Sequence, residues 1–186
     1  MKKLGLCVVL LVMLGGCSDD DRELERAMDL RTRLLEASSF CFDADITADY
    51  GDFLHQFSMN CRADGEGNLD FTVTAPQTLS GITGTISEEG GALRFDDRVL
   101  AFDLLTDEQL SPVSAPWILV KTLRSGYLTS AGREEEGLLL TIDDSYAQDA
   151  LTLDILLDSQ DLPKRAEILY DGRRILTLLV TNAALT

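Results

Sequence analysis

The sequence predicts an α+β fold that is mainly antiparallel β: a curved, unclosed half-barrel of about ten strands, covered by an N-terminal helix and a short inserted helix. From residue 40 onward, apolar residues recur mostly at every second position, which is the period of a strand with one buried face. Two segments depart from that period, one with helical spacing and one an apolar run that follows a proline. A single sheet of this size must curl, and its concave face needs a cover, so we expect the two helices to supply it.

The first predicted element is a helix over 22–38, RELERAMDLRTRLLEAS. Its apolar residues fall at three- and four-residue spacings and form one stripe that packs on something: Leu24, Ala27, Met28, Leu34 and Leu35. Asp20 or Asp21 can cap its first turn.

Ten strand segments are predicted after this helix, joined by turn sequences. Asp171-Gly172 is the strongest hairpin signal among the connections. A proline-containing loop over 110–116 leads into the inserted helix, 117–123, which has Pro116 at its first turn. The strand segments are 40–48, 53–61, 69–75, 78–86, 92–95, 98–102, 137–143, 150–158, 164–171 and 173–182.

The first hairpin has two competing registers. A turn centred on Gly51 places Cys41 opposite Cys61, whereas a shift by one residue pairs Phe42 with Met59 and aligns the apolar faces. A bulge near the open end of the hairpin would satisfy both, because one extra residue reverses the face.

Residues 1–16 have the three-part layout of a secretory signal. Lys2 and Lys3 precede an apolar run over 4–14 that is well short of the ~20 residues needed to span a bilayer. The run ends in LGGC, residues 14–17, which resembles the lipobox of bacterial lipoproteins. That resemblance implies cleavage before Cys17 and attachment of diacylglycerol and acyl chains such as palmitate there; an ordinary signal peptide with an incidental cysteine is the alternative.

The expected organisation follows from this N-terminus. Residues 1–16 are a signal peptide, 17–21 a lipidated N-terminus with a short tether, and 22–186 a single half-barrel domain. The protein is then exported and anchored by lipid to a bacterial membrane, outside the cytoplasm, because several acyl chains together hold a protein on a bilayer.

The charge balance argues against nucleic acid as a partner. Without Lys2 and Lys3, 14 basic residues face 32 acidic ones, a net charge of about −18. Such a surface repels phosphate backbones and anionic lipid headgroups. Membrane attachment therefore has to come from the lipid rather than from a basic patch.

The four cysteines have different expected roles. Cys7 leaves with the signal peptide and Cys17 carries the lipid, so Cys41 and Cys61 remain as an even pair in an exported domain. We expect a Cys41–Cys61 disulfide, which would stabilise by ~3 kcal/mol in the chain-entropy model. Two free buried thiols are the alternative.

Three stretches resemble the lipoprotein-carrier superfamily, which includes LolA, LolB, LppX and RseB. They are FTVTAPQTLSGITGTI, PVSAPWILVKTL and LPKRAEILYDGRRILTLLVTN, and the similarity covers about 22–182. The resemblance implies an unclosed antiparallel barrel with helices over a hydrophobic cavity that often holds acyl chains. Some relatives in spore-forming bacteria act instead through a protein partner.

No pattern points to catalysis, to a metal or to a cofactor. His55 is the only histidine, and no serine lies in a GxSxG elbow. The aspartates at 43, 45, 96, 97, 143 and 144 lack calcium-loop spacing and are interpreted as solvated carboxylates. We therefore expect a non-enzymatic protein.

Two functions remain open: binding of a lipid or other apolar ligand in the half-barrel, and a regulatory or scaffold role through an envelope protein partner or a strand-exchanged dimer. The inserted segment 117–120 could plug the core, line a cavity mouth or contact a membrane, and plugging is favoured. If the cavity is open, alternation selects its lining: Phe42, Ile46, Phe71, Val73, Phe95, Phe102, Trp117, Leu140, Leu153 and Ile155.

Overall fold

The computed structural model describes residues 19–51, 53–96, 98–102, 105–106, 109–147 and 150–186. The expected signal peptide and Cys17 lie outside these residues. Among the described helices, none combines the length and hydropathy needed to cross a bilayer.

The predicted half-barrel is confirmed. Eleven antiparallel strands form one sheet: β1 (Ser39–Asp49), β2 (Leu54–Asp64), β3 (Leu69–Ala75), β4 (Thr83–Ser87), β5 (Gly90–Phe95), β6 (Arg98–Phe102), β9 (Tyr127–Glu134), β10 (Gly137–Asp143), β11 (Leu151–Leu157), β12 (Pro163–Tyr170) and β13 (Arg173–Leu185). Their order in the sheet is β6-β5-β4-β3-β2-β1-β13-β12-β11-β10-β9, and the edge strands β6 and β9 do not pair with each other, so the sheet stays unclosed. Strands β7 (Leu105–Thr106) and β8 (Gln109–Leu110) form a separate ribbon.

Two helices cover the sheet, as the sequence predicts. Helix α1 (Asp19–Glu36) begins three residues earlier than expected, inside the segment interpreted as a tether. Helix α2 (Ala115–Ser125) follows a 3-10 turn at Pro112–Ser114 and has Pro116 in its first turn. Proline fits there because the first N–H groups of a helix have no intrahelical acceptor.

The predicted apolar stripe of α1 is divided between two faces. Ala27, Leu30 and Leu34 are buried, together with Glu23, whereas the apolar residues Leu24, Met28 and Leu35 are about half exposed. The buried positions follow one another at three- and four-residue intervals and contact the sheet and α2.

Strand β9 was not predicted from the sequence. Its residues alternate neither in polarity nor in burial, because it forms an edge of the sheet and most of its side chains are exposed. The hairpin at Asp171-Gly172 is confirmed, with both residues at positive φ (48° and 70°), the conformation of a two-residue primed turn.

Both predicted registers of the first hairpin are wrong. Phe42 lies opposite Cys61, and the β1–β2 ladder runs without a shift from Ser39 to Asp49. The connection is four residues long, and a hydrogen bond of 3.1 Å from Tyr50 N to Phe53 O closes it. The centre of the turn therefore differs from the predicted centre at Gly51. A bulge does occur, but between β1 and β13, where Asn182 has φ 54°.

One continuous core lies between the concave face of the sheet and the two helices. Two glycines in the β3–β6 region allow aromatic rings to lie flat on neighbouring strands. A Cβ on Gly84 would come within 2.4 Å of the Phe71 ring, and one on Gly91 within 2.2 Å of the Phe102 ring. These close approaches explain why glycine occupies both positions, although a glycine inside a strand weakens it.

The two helices cap each other's carboxyl ends through arginines. Arg31 of α1 donates to Leu123 O and Gly126 O of the α2 end, both at 2.8 Å. Arg124 of α2 donates to Leu34 O of α1 and to Gly65 O, both at 2.7 Å. Carbonyls of a last helical turn lack intrahelical donors, so these bonds satisfy them and join the cover to the sheet.

Candidate functional site

The residues selected as cavity lining form a packed interior. Eight of them are 5% exposed or less, which leaves almost no surface that a water molecule could touch. Trp117 and its neighbours through Val120 in α2 are buried against this face. The inserted helix therefore plugs the half-barrel, the favoured one of the three roles considered for it. The eight residues are Phe42, Ile46, Phe71, Val73, Trp117, Leu140, Leu153 and Ile155.

The other two selected phenylalanines lie elsewhere. Phe102 is partly buried over Gly91, and Phe95, at the end of β5, is 51% exposed. Strict alternation placed Phe95 on the concave face, but the β5–β6 hairpin extends past the region that the helices cover.

The expected disulfide is absent from the structure. Cys41 and Cys61 are both free. Because Phe42 is the partner of Cys61, the side chain of Cys61 lies on the core face and that of Cys41 on the opposite face. Two Cβ atoms on opposite faces cannot be bridged without movement of the backbone.

Four of the six aspartates considered as metal or catalytic candidates accept hydrogen bonds within the fold, and Asp97 lies outside the described residues. Asp43 accepts hydrogen bonds from the amides of Asn60 and Asn182, and Asp143 accepts one from Thr152. His55 is exposed and stacks on Phe53 with 6.4 Å between ring centroids. Within the described ranges, no three histidine, cysteine or acidic side chains are grouped as metal ligands.

A groove on the outer face of the sheet was not predicted from the sequence. It has a volume of about 450 Å³ and crosses strands β2 to β6. Of the described residues that line it, Arg62 and Arg94 are basic and Asp70 alone is acidic, and neither arginine forms an ion pair with another residue of the described ranges. Threonines 72, 83 and 85 form its floor. Only the assembled sheet reveals it, because its residues come from different strands.

The groove opens beside the free edge of β6. Val99 lines the groove and is 62% exposed, and Leu100 on the concave side is 65% exposed. Strand β6 pairs with β5 on one side only, and no other described strand pairs with it. The side chains from Arg98 to Ala101 are exposed, and no described strand occupies the outer edge of β6.

The sequence matches no protein-family model, and no curated protein matches it significantly. Solved structures do match. An uncharacterized conserved protein of Thermus thermophilus is 14% identical, with 91% of this chain and 88% of that one covered and a TM-score of 0.47. A LolA superfamily protein of Nitrosomonas europaea is 10% identical, with 90% and 93% covered and a TM-score of 0.47.

The lipoprotein LppX of Mycobacterium tuberculosis is 12% identical to this chain, with 87% of this chain and 93% of that one covered and a TM-score of 0.40. LolA and LppX, the names that two of these structures carry, are both names within the superfamily that the sequence resembles.

Proposed function

We propose that this protein is an exported, non-enzymatic lipoprotein that acts through an envelope protein partner. Cys17 carries the lipid after removal of residues 1–16, and 22–186 form one half-barrel domain. The observation that favours a partner over an internal ligand is the packed interior, whose lining side chains have almost no accessible surface. A protein that binds acyl chains in a cavity needs apolar surface open to them, whereas here the accessible apolar surface includes an open sheet edge.

The tethered location is supported by the N-terminal sequence and by α1. Leu24 and Met28 leave apolar surface exposed on α1, close in sequence to the expected anchor at Cys17. Cells grown with an alkyne-labelled palmitate should label the wild-type protein and not a Cys17→Ala variant. The variant should also leave the membrane fraction. Equal labelling of the two proteins would contradict the anchor.

Crosslinking in intact cells tests the partner. We expect one crosslinked species with a reproducible second protein, resistant to extensive washing. Native mass spectrometry of protein purified without crosslinking should give the mass of the acylated chain without additional lipid. A protein that is monomeric in cells and yields no crosslinked partner would contradict the proposal.

An apolar ligand beneath the helices is the second candidate, favoured by the continuous aliphatic concave face. Such a ligand would have to displace Trp117 and its neighbours in α2 and then contact the other seven buried residues named above. Co-purifying lipid, or saturable uptake of a fluorescent fatty acid that a Leu153→Asp substitution abolishes, would establish this candidate in place of the first.

A further inference from the structure

The free edge of β6 is oriented to add another strand. β5 and β6 are joined by two residues, with Phe95 opposite Arg98. In a hairpin with a two-residue turn the flanking pair is hydrogen-bonded, and bonded and non-bonded pairs alternate along the ladder. The pairs of Val99 and Ala101 are therefore non-bonded, and their N–H and C=O groups point away from β5. An extended segment can bond to these groups without disturbing the ladder.

Side chains beside this edge indicate what the segment contains. On the concave face, Leu100 lies opposite Leu93, and its 65% exposed side chain would be covered by an apolar residue of the added strand. On the outer face, Val99 lies opposite Arg94. A residue of the added strand that lies beside Val99 would be two strand spacings away from Arg94. The distance between the two Cα atoms would then be about 9–10 Å, which an extended arginine side chain can bridge.

The charge of the groove favours acidic residues on the outer face. Among the described residues, Asp70 is the one acid that lines the groove beside Arg62 and Arg94, in a chain that carries 32 acidic residues in all. Asp96 lies in the turn of the hairpin, at positive φ, and does not line the groove. The groove is thus a local exception on an acidic surface, where a carboxylate gains ion pairs and hydrogen bonds from the arginine forks.

We propose that β6 binds an extended segment of the partner protein as an additional strand, with apolar residues toward Leu100 and acidic residues toward Arg94. This inference rests on the proposed function, and it assigns the site and the chemistry of the partner. The mode is strand addition, in which backbone bonds supply affinity and side chains on alternate faces supply specificity.

A pair of synthetic peptides tests the charge preference. One alternates valine with glutamate over nine residues, and its twin alternates valine with lysine. The detergent-solubilised mature protein is titrated with each peptide in about 0.15 M salt, where long-range attraction is screened. The acidic surface as a whole would favour the lysine peptide, so tighter binding of the glutamate peptide identifies the groove. Absence of glutamate-peptide binding up to about 1 mM, or tighter binding of the lysine peptide, overturns the proposal.

Substitutions locate the binding to β6. Val99→Pro removes one outward N–H and no bond of the β5–β6 ladder, and proline is tolerated at a sheet edge. We expect it to weaken glutamate-peptide binding about tenfold or more, whereas Val99→Ala, which retains the N–H, should weaken it only a few-fold. Arg94→Glu should reverse the preference toward the lysine peptide. Unchanged binding by Val99→Pro, with an unchanged unfolding midpoint, would contradict strand addition at this edge.

The Val99→Pro variant also distinguishes an error in the assigned binding site from an error in the proposed function. If the wild-type protein crosslinks to a partner in cells and Val99→Pro does so equally, the β6 site is wrong while the partner role stands. If the wild-type protein has no partner, the proposed function itself is wrong.

Discussion

The two cysteines illustrate how one residue of register decides the chemistry of a side chain. Burial raises the pKa of the Cys61 thiol, and the nearby Asp43 carboxylate raises it further. The nucleophile in thiol chemistry is the thiolate, so a buried thiol of this kind is unreactive. Cys41, on the adjacent strand β1, faces the other way and is partly accessible.

Alkylation of the native mature protein should therefore distinguish the two residues. With iodoacetamide at about pH 8, we expect modification of the partly accessible Cys41 and protection of the buried Cys61 until the protein is unfolded, as read by peptide mass spectrometry. We expect the same pattern of alkylation when the protein is first treated with a reductant. Protection of both cysteines that is removed by a reductant would instead show that they form a disulfide.

Asp64 organises the turn between β2 and β3. Desolvation acts to raise its pKa, but the hydrogen bonds it accepts are the larger combined effect, and its pKa is lowered. Asn68 donates from its side-chain amide and its backbone N–H, and the Glu66 N–H donates as well, each at 2.9 Å.

Because the pKa of Asp64 is lowered in the folded protein, its ionised carboxylate should stabilise the fold over a defined pH range. The contribution is present in full above the unfolded value of about 3.9 and is lost as the pH falls through the lower folded value. An Asp64→Asn variant should be less stable than wild type by about 0.5–1 kcal/mol at neutral pH, a modest loss because the site is exposed. Denaturant titrations at neutral pH and at about pH 2.5 measure this difference, which should shrink at the lower pH. A difference that stays constant would contradict the role of the ionised carboxylate.

Among the elements, the helices depend on each other more than their sequences suggest. Burial lowers the pKa of Arg31, yet an arginine remains charged in any protein environment, so its guanidinium still donates to the end of α2. Arg124 makes the reciprocal contact and also reaches the β2–β3 turn. Neither side chain belongs to a recognisable sequence motif.

Removal of one of these caps should loosen the cover. We expect Arg124→Met to lower the free energy of unfolding by about 1–3 kcal/mol, because two carbonyls lose charged donors. Arg124→Lys should lose less, since it keeps the charge without the planar fork. Lys164→Met, which removes an exposed ion pair with Glu136 at 3.3 Å, is a matched control with an expected loss of about 0–1 kcal/mol. Denaturant unfolding measures all three; equal losses in Arg124→Met and the control would contradict the capping role.

On the scale of the whole molecule, one face of the sheet is a core and the other is a polar surface. Ile155 is fully buried on the first, whereas Leu179, on a strand of the same sheet, is 50% exposed on the second. The buried residues of the two helices belong to the same apolar cluster as the concave face, so the helices contribute directly to the core.

Truncation of a side chain should therefore lower the free energy of unfolding by different amounts on the two faces of the sheet. Ile155→Ala should lower the free energy of unfolding by about 2–5 kcal/mol, because it leaves a cavity in a packed interior. Leu179→Ala removes a side chain of similar size and should cost less than about 0.5 kcal/mol. If a lipid normally filled the interior, Ile155→Ala would be tolerated better in the lipid-bound protein than after delipidation. We expect no such dependence.

Residue periodicity alone is enough to predict the strand-rich half-barrel, the two covering helices and eight of the side chains that meet beneath them, because a period of two places alternate residues on one face. Tertiary structure decided the hairpin register, the separation of Cys41 from Cys61 and the strand β9, whose exposed residues have no period. It also decided that the interior is full, since a pattern indicates which face is apolar but not what covers it. The groove beside β6 depends on residues from several strands, and only pairing of those strands brings them together.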